Sequence, residues 1–248
     1  VALPTGVKNY KDITTDLPMF THSIGDFFDI WSPTSFEVIR LKSADAGIDF
    51  GSIVSEAAFI QTTNAEVQGF YGGLELGVQT SNAPIKATSL MFGSHDGSES
   101  KVTLTTSNGE IKSLLGFSSD YTNHTLRATI HTTLAPLTID APRLMTDSRF
   151  VLDASTTVSP ATVHVGAEFE GTYDIRTSVV EAEVEVAPDV RDPMGQGRQR
   201  TVTVMKERGG RRAQGRVYWG KEGDSEEGGV KRGSVKVSTS VSPVKLMF

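Results

Sequence analysis

The chain has 248 residues, with 24 Lys and Arg against 30 Asp and Glu, and it contains no cysteine. The net charge of −6 argues against nucleic acid as the main partner, because duplex binding needs a basic footprint over much of one face. The lack of cysteine excludes disulfide bonds, cysteine nucleophiles and thiolate metal sites. The length suits one large all-β domain or two ordinary domains.

The first part of the chain is rich in aromatic residues and irregular in pattern up to about residue 50. Segment Ser52–Gln61 follows, and it is the best candidate for a short amphipathic helix, with Ile53, Ala57, Phe59 and Ile60 as its apolar residues. β-branched residues elsewhere favour strands, so little helix is expected. A boundary within the domain is conceivable near residues 95–100.

The middle of the chain alternates apolar and polar residues, which predicts strands with one buried face. Segments Lys101–Thr105 and Leu126–His131 are clear examples. Asn108 and Gly109 lie between two such strands, and this dipeptide predicts a tight hairpin with positive φ at both residues. The pattern therefore predicts an antiparallel meander.

The C-terminal part alternates in the same way. Glu181–Val186 places three carboxylates on one face of a strand, which requires that face to be wet. Residues 192–216 are basic and Gly-rich and predict a hairpin or loop. The fold expected for residues 1–248 is a single all-β domain of antiparallel sheets, forming an open or sandwich-like meander that encloses an apolar face.

Motifs for catalysis are missing from the sequence. The five histidines lack the spacing of a metal site, and neither a complete GxSxG nor a phosphate-binding loop occurs. We therefore predict no enzyme activity, no catalytic residues, no metal and no required cofactor.

Two features favour a secreted, extracellular glycoprotein. The chain starts at Val1 instead of Met, as expected after removal of a signal peptide. Asn123 begins an Asn-His-Thr sequon, which predicts glycosylation at Asn123. No apolar run has the length that a transmembrane helix requires.

The strand pattern of Lys101–Ile139 and the aromatic segment Gly215–Lys221 resemble the antiparallel sheet modules of large lipid transfer proteins, namely the vitellogenins, apolipophorins and apolipoprotein B. This resemblance implies a sheet face turned towards lipid, or towards a pigment as in a carotenoprotein relative. It also implies a homo- or hetero-oligomer with a related β-sheet chain. The chain departs from that family in its short length and its lack of cysteine.

Two functions compete on these grounds. The first is a secreted protein that binds an extended hydrophobic ligand, a lipid or carotenoid, between β-sheet faces. The alternative is a structural or adhesive β-sandwich without a small-molecule ligand, with the basic stretch as a recognition surface. Four aromatic residues are candidates for lining the ligand, with ordinary core packing as the other explanation. They are Trp31, Phe92, Phe117 and Tyr121.

Overall fold

The computed structural model describes residues 9–25, 34–93, 97–118, 124–146, 148–221 and 232–248, and these residues form strands and connections without helix. The strands are β1 (Asn9–Asp16), β2 (His22–Ser23), β3 (Ser35–Lys42), β4 (Ile48–Gln61), β5 (Val67–Gln79), β6 (Ile85–Phe92), β7 (Ser100–Thr105), β8 (Ile111–Ser118), β9 (Thr125–His131), β10 (Leu137–Arg143), β11 (Arg149–Ser155), β12 (Ala161–Val165), β13 (Gly171–Arg176), β14 (Ala182–Glu185), β15 (Arg200–Lys206), β16 (Arg212–Trp219), β17 (Gly233–Ser238) and β18 (Val244–Met247). The expectation of an all-β protein is confirmed.

Most strands pair in parallel, and many of them pair with the strand two positions away in the chain. Thus β6 pairs with β8, and β7 pairs with β9. The chain therefore winds as a flattened coil in which successive turns stack on each other. One stack, ladder A, runs β1-β3-β4-β5-β7-β9-β11-β17-β13-β16-β15, and the opposite stack, ladder B, runs β2-β4-β5-β6-β8-β10-β12-β18-β14.

Strands β4 and β5 belong to both ladders. The first half of β4 pairs with β2 in ladder B, and its second half pairs with β3 in ladder A. The register of β4 against β5 shifts between Asp49 and Ser52, where Gly51 has a φ of 39°. A bulge of this kind bends a strand. The two ladders are consequently one continuous, mostly parallel sheet that wraps around its own core.

The core lies between the ladders. Inward side chains alternate with outward ones along most strands, as in β7, where Val102 is 1% exposed and Leu104 is 0% exposed. The largest fully buried side chains include Tyr71, Phe50 and Trp219. The apolar face predicted from the alternation is therefore covered by the opposite ladder of the same chain.

The antiparallel meander predicted from sequence is wrong. Alternation fixes which side chains point inward, but it is the same for parallel and antiparallel strands. Short connections are compatible with parallel pairing here because each one crosses to the opposite ladder. In the described part of the chain, antiparallel pairing occurs only where β16 pairs with β13 and with β15.

The predicted helix at Ser52–Gln61 is also wrong, since these residues form the second part of β4. Ile53, Ala58 and Ile60 are almost fully buried, and Ser55 is buried with them. Pairing with β3 and β5 on both sides satisfies the backbone of this segment, so tertiary contacts override its weak helical pattern.

The connection from a ladder A strand to the next ladder B strand, which we call a corner, follows a sequence repeat that is not evident from the sequence alone. In each of eight described corners, a Thr or Ser directly follows the ladder A strand, and an apolar residue opens the ladder B strand five positions later. The corner residues are Ser43, Thr62, Thr80, Thr106, Thr132, Thr156, Thr177 and Thr239. Each is at most 6% exposed. The spacing between corners varies along the chain, which hides the period.

Hydrogen bonds between turns of the coil hold these corners together. Thr132 Oγ1 donates to the Gly109 carbonyl oxygen at 3.1 Å. On the surface, Asn82 Nδ2 donates to Asn64 Oδ1 at 2.7 Å, and Asn108 Nδ2 donates to Asn82 Oδ1 at 2.6 Å. Asn108 and Gly109 thus form part of a corner stack, and neither has positive φ. The hairpin predicted there is wrong, because β7 and β8 lie in opposite ladders.

The C-terminal turn of the coil is inserted out of sequence order. Strand β17 lies between β11 and β13, and β18 lies between β12 and β14. The chain therefore leaves β12, forms β13 to β16 beyond an open position, and returns to fill that position with β17 and β18. The last residue, Phe248, is 3% exposed and stacks on Phe169 with 5.9 Å between the ring centroids.

Alkaline pH is expected to destabilise the fold through Tyr71. Its hydroxyl oxygen lies 2.8 Å from the Glu75 carbonyl oxygen and 3.0 Å from that of Ser55. Burial raises the pKa of Tyr71 from 10.0 to about 12. The folded state thus favours the protonated phenol, so its stabilisation is complete below pH 10 and is lost as pH rises towards about 12.

The measurement is urea unfolding at pH 8 and pH 11 for the wild type and Tyr71→Phe. The variant should be less stable at pH 8 by about 1–3 kcal/mol, since it lacks the buried hydroxyl. It should also lose less stability than the wild type between the two pH values. Equal losses in the two proteins would contradict the assignment to Tyr71.

Candidate binding surface

The candidate ligand-lining residues are not brought together as a pocket between the sheets. Phe117 is 5% exposed and packs in the core. Phe92 is partly exposed on the outside of the fold, where it lines a groove with Tyr10 and Phe36. Trp31, Tyr121 and the sequon residue Asn123 lie outside the described residues.

The basic segment carries less unpaired charge than its sequence suggests. Arg198 donates through Nη2 to Asp192 Oδ1 at 2.9 Å, and this hydrogen bond lowers the pKa of the Asp192 carboxyl. Arg212 forms a two-point ion pair with Asp174, with distances of 2.8 and 3.0 Å. That pair lowers the pKa of Asp174 and raises the pKa of Arg212. Asp192 and Asp174 therefore neutralise two of the arginines in this segment.

Arg200 is also unavailable as an open cationic site. Its guanidinium carbon lies 5.9 Å from the ring centroids of Trp219 and Phe248, and burial lowers its pKa. Its Nη2 donates to the Gly166 carbonyl oxygen at 3.4 Å. Arg200 thus covers the aromatic end of the core, which is a structural role.

The outer face of ladder A is built from columns of side chains, one from each turn of the coil. The central outer column consists of the residues three positions before each corner Thr or Ser. In spatial order, its first six members are Arg40, Phe59, Gly77, Thr103, Thr129 and Asp153. Neighbouring members are about 4.8 Å apart, the spacing of hydrogen-bonded strands.

A groove of about 400 Å³ lies where this column reaches Gly77. We call it the Gly77 groove. Gly77 has no side chain, so the Phe59 ring on one side leans over it, and the space towards Thr103 on the other side is open. Phe59 is 39% exposed although it is fully apolar. Gln61 and Gln79, one column away, also line the groove with exposed amides.

The groove carries cationic groups at one end. The guanidinium carbon of Arg40 lies 5.7 Å from the Phe59 ring centroid, an arrangement that holds both side chains in place. Lys42 Nζ is paired with Asp16 Oδ2 at 3.2 Å. Among the described residues, Arg40 has no carboxylate partner. An aromatic face, two amides, hydroxyls and one unpaired guanidinium therefore converge on one open surface.

Within the described ranges, His, Asp and Glu side chains nowhere form a group of three that could hold a metal ion. No described helix is long and apolar enough to cross a membrane.

Comparison with protein-family models, with curated proteins and with solved structures found no match to this chain. The resemblance to large lipid transfer proteins therefore stays a prediction. Sequence reasoning missed Arg40, Phe59 and Gly77 as neighbours. The sequence does contain the signal for this column, because aligning the corners at Ser43 and Thr62 places Arg40 and Phe59 at the same position.

Proposed function

We propose that this protein is a structural or adhesive interaction protein, which presents the outer face of a rigid β-coil to an extracellular partner. The observation that carries the proposal is the filled interior. Residues from both ladders, such as Leu76, Ile111 and Leu152, are at most 1% exposed and pack in one cluster. Because the interior is filled, the side chains that contact a partner must lie on the outer surface of the coil.

The first expectation, a lipid or carotenoid held between the sheet faces, fits this interior less well. An extended hydrophobic ligand would have to separate the two ladders, and each displaced core side chain would lose its packing contacts at about 2–5 kcal/mol. The strands that join both ladders, β4 and β5, oppose such opening. A hydrophobic ligand stays the competing proposal, and the experiment below distinguishes the two.

The experiment uses protein purified without detergent from its native source. Its visible spectrum is recorded, and an organic extract is analysed by mass spectrometry. In parallel, beads coated with the protein are tested for retention on immobilised acidic polysaccharide, neutral polysaccharide, protein matrix and anionic vesicles. We expect no stoichiometric lipid or pigment and selective retention on one polymer. A stoichiometric apolar ligand with no retention would contradict the proposal.

A further inference from the structure

We infer that the Gly77 groove is a binding site for an acidic oligosaccharide, a linear glycan that carries carboxylate groups. The inference rests on the proposed interaction function and names the ligand class and the site. Three properties of the groove support it: its aromatic floor, its spacing and its charge.

The Phe59 ring at the base of the groove provides a surface on which a sugar ring can stack. The Phe59 ring leans over Gly77, so that a Cβ placed on Gly77 would lie 3.1 Å from Phe59 Cδ1. The ring thus lies along the surface, and Phe59 as a residue is 39% exposed. An exposed aromatic ring offers an apolar platform to the C–H face of a pyranose, and neighbouring amides and hydroxyls supply donors and acceptors for its hydroxyl groups.

The spacing suits a linear chain of sugars. Side chains along the central outer column repeat about every 4.8 Å, because the strands beneath them are hydrogen-bonded in parallel. This repeat is close to the length of one pyranose unit in an extended polysaccharide. A glycan lying along the column would therefore meet a new turn of the coil at each sugar, from Arg40 past Phe59 to Thr103.

The charge selects an acidic glycan over a neutral one. Arg40 is exposed, and its fork of N–H donors matches the geometry of a carboxylate. Lys42 is paired with Asp16, whose carboxylate also lines the groove, so Arg40 is the cation of the groove that has no carboxylate partner among the described residues. A phospholipid surface fits less well, because the groove is a recess lined by five turns of the coil, with polar side chains such as Gln61, Gln79 and Thr103 along it, instead of an exposed apolar patch.

The test measures binding of oligogalacturonate by isothermal titration, with an uncharged oligoglucan as the neutral probe. Phe59→Ala should weaken binding of the acidic probe about tenfold or more through loss of the platform. Arg40→Gln should weaken it to a similar extent through loss of a charge-assisted hydrogen bond. Added salt should weaken wild-type binding.

Matched controls lie on ladder B. Arg143→Gln removes one exposed arginine, and Leu114→Ala removes an apolar side chain that is 40% exposed. Both should bind the acidic probe as the wild type does. Thermal unfolding of every variant shows whether it is folded.

Several outcomes would overturn the inference. Equal affinity for the acidic and neutral probes would contradict a site that selects an acidic glycan. Unchanged affinity in both groove variants would show that the Gly77 groove is not the binding site. If Arg143→Gln weakened binding of the acidic probe as much as Arg40→Gln does, the effect of Arg40 would be explained by net charge alone. Retention of the protein only by protein matrix or anionic vesicles would contradict a glycan as the ligand, while leaving the proposed interaction function intact.

Discussion

Deletion of residues 232–248 is expected to abolish cooperative folding of the C-terminal half. These residues carry β17 and β18, which fill the position between β11 and β13 in ladder A and between β12 and β14 in ladder B. Without them the flanking strands would be about 9–10 Å apart, twice the hydrogen-bonding distance between strands. The edges of four strands would lose their partners, and the adjoining core would be open to water.

The measurement is urea unfolding followed by circular dichroism, with hydrogen exchange to locate the protected strands. A milder variant, Leu246→Ala, should lower the free energy of unfolding by about 2–5 kcal/mol, since Leu246 is fully buried. Val241→Ala, at an exposed corner, should change it by less than about 0.5 kcal/mol. A truncated chain with the wild-type unfolding midpoint would refute the inserted order of the strands.

Gly73→Ala is expected to have the next largest effect, a loss of about 3 kcal/mol or more. The new methyl carbon would lie 1.9 Å from the Ser55 carbonyl oxygen and 2.3 Å from the Tyr71 hydroxyl oxygen. These are the two atoms that approach within 3.0 Å of each other in the buried hydrogen bond. The substitution therefore displaces backbone as well as a ring, at the point where β5 passes from ladder B to ladder A.

Gly47→Ala is the matched control. The nearest atom to its new methyl group is the Glu66 carbonyl oxygen at 3.5 Å, an ordinary contact, so its unfolding midpoint should be close to that of the wild type. In the double variant Gly73→Ala/Tyr71→Phe, loss of the hydroxyl should relieve the 2.3 Å contact, while the contacts with the Ser55 carbonyl oxygen and with the ring carbon Cζ at 2.7 Å stay. The double-variant cost should thus be smaller than the sum of the single costs. Additive costs would argue against the clash with Tyr71.

The candidate site was largely beyond prediction from sequence. Phe59 was interpreted as part of a helical pattern, whereas its exposure follows from pairing between β4 and two neighbouring strands. The basic stretch at residues 192–216, which includes Arg198 and Arg212, is interpreted from the sequence as a candidate recognition surface. The partner of Arg198, Asp192, lies only six residues away, whereas the partner of Arg212, Asp174, lies 38 residues earlier in the chain and is brought to it by the fold.

The sequence by itself determined that the protein is built from strands and which side chains are buried. The alternation of apolar Val102 and Leu104 with polar Lys101 and Thr103 is a local property, so it can be recognised within one segment of sequence. Direction and order of the strands were decided only by the tertiary structure. Parallel and antiparallel strands share the same alternation, and the place of β17 between β11 and β13 depends on contacts between segments far apart in the chain.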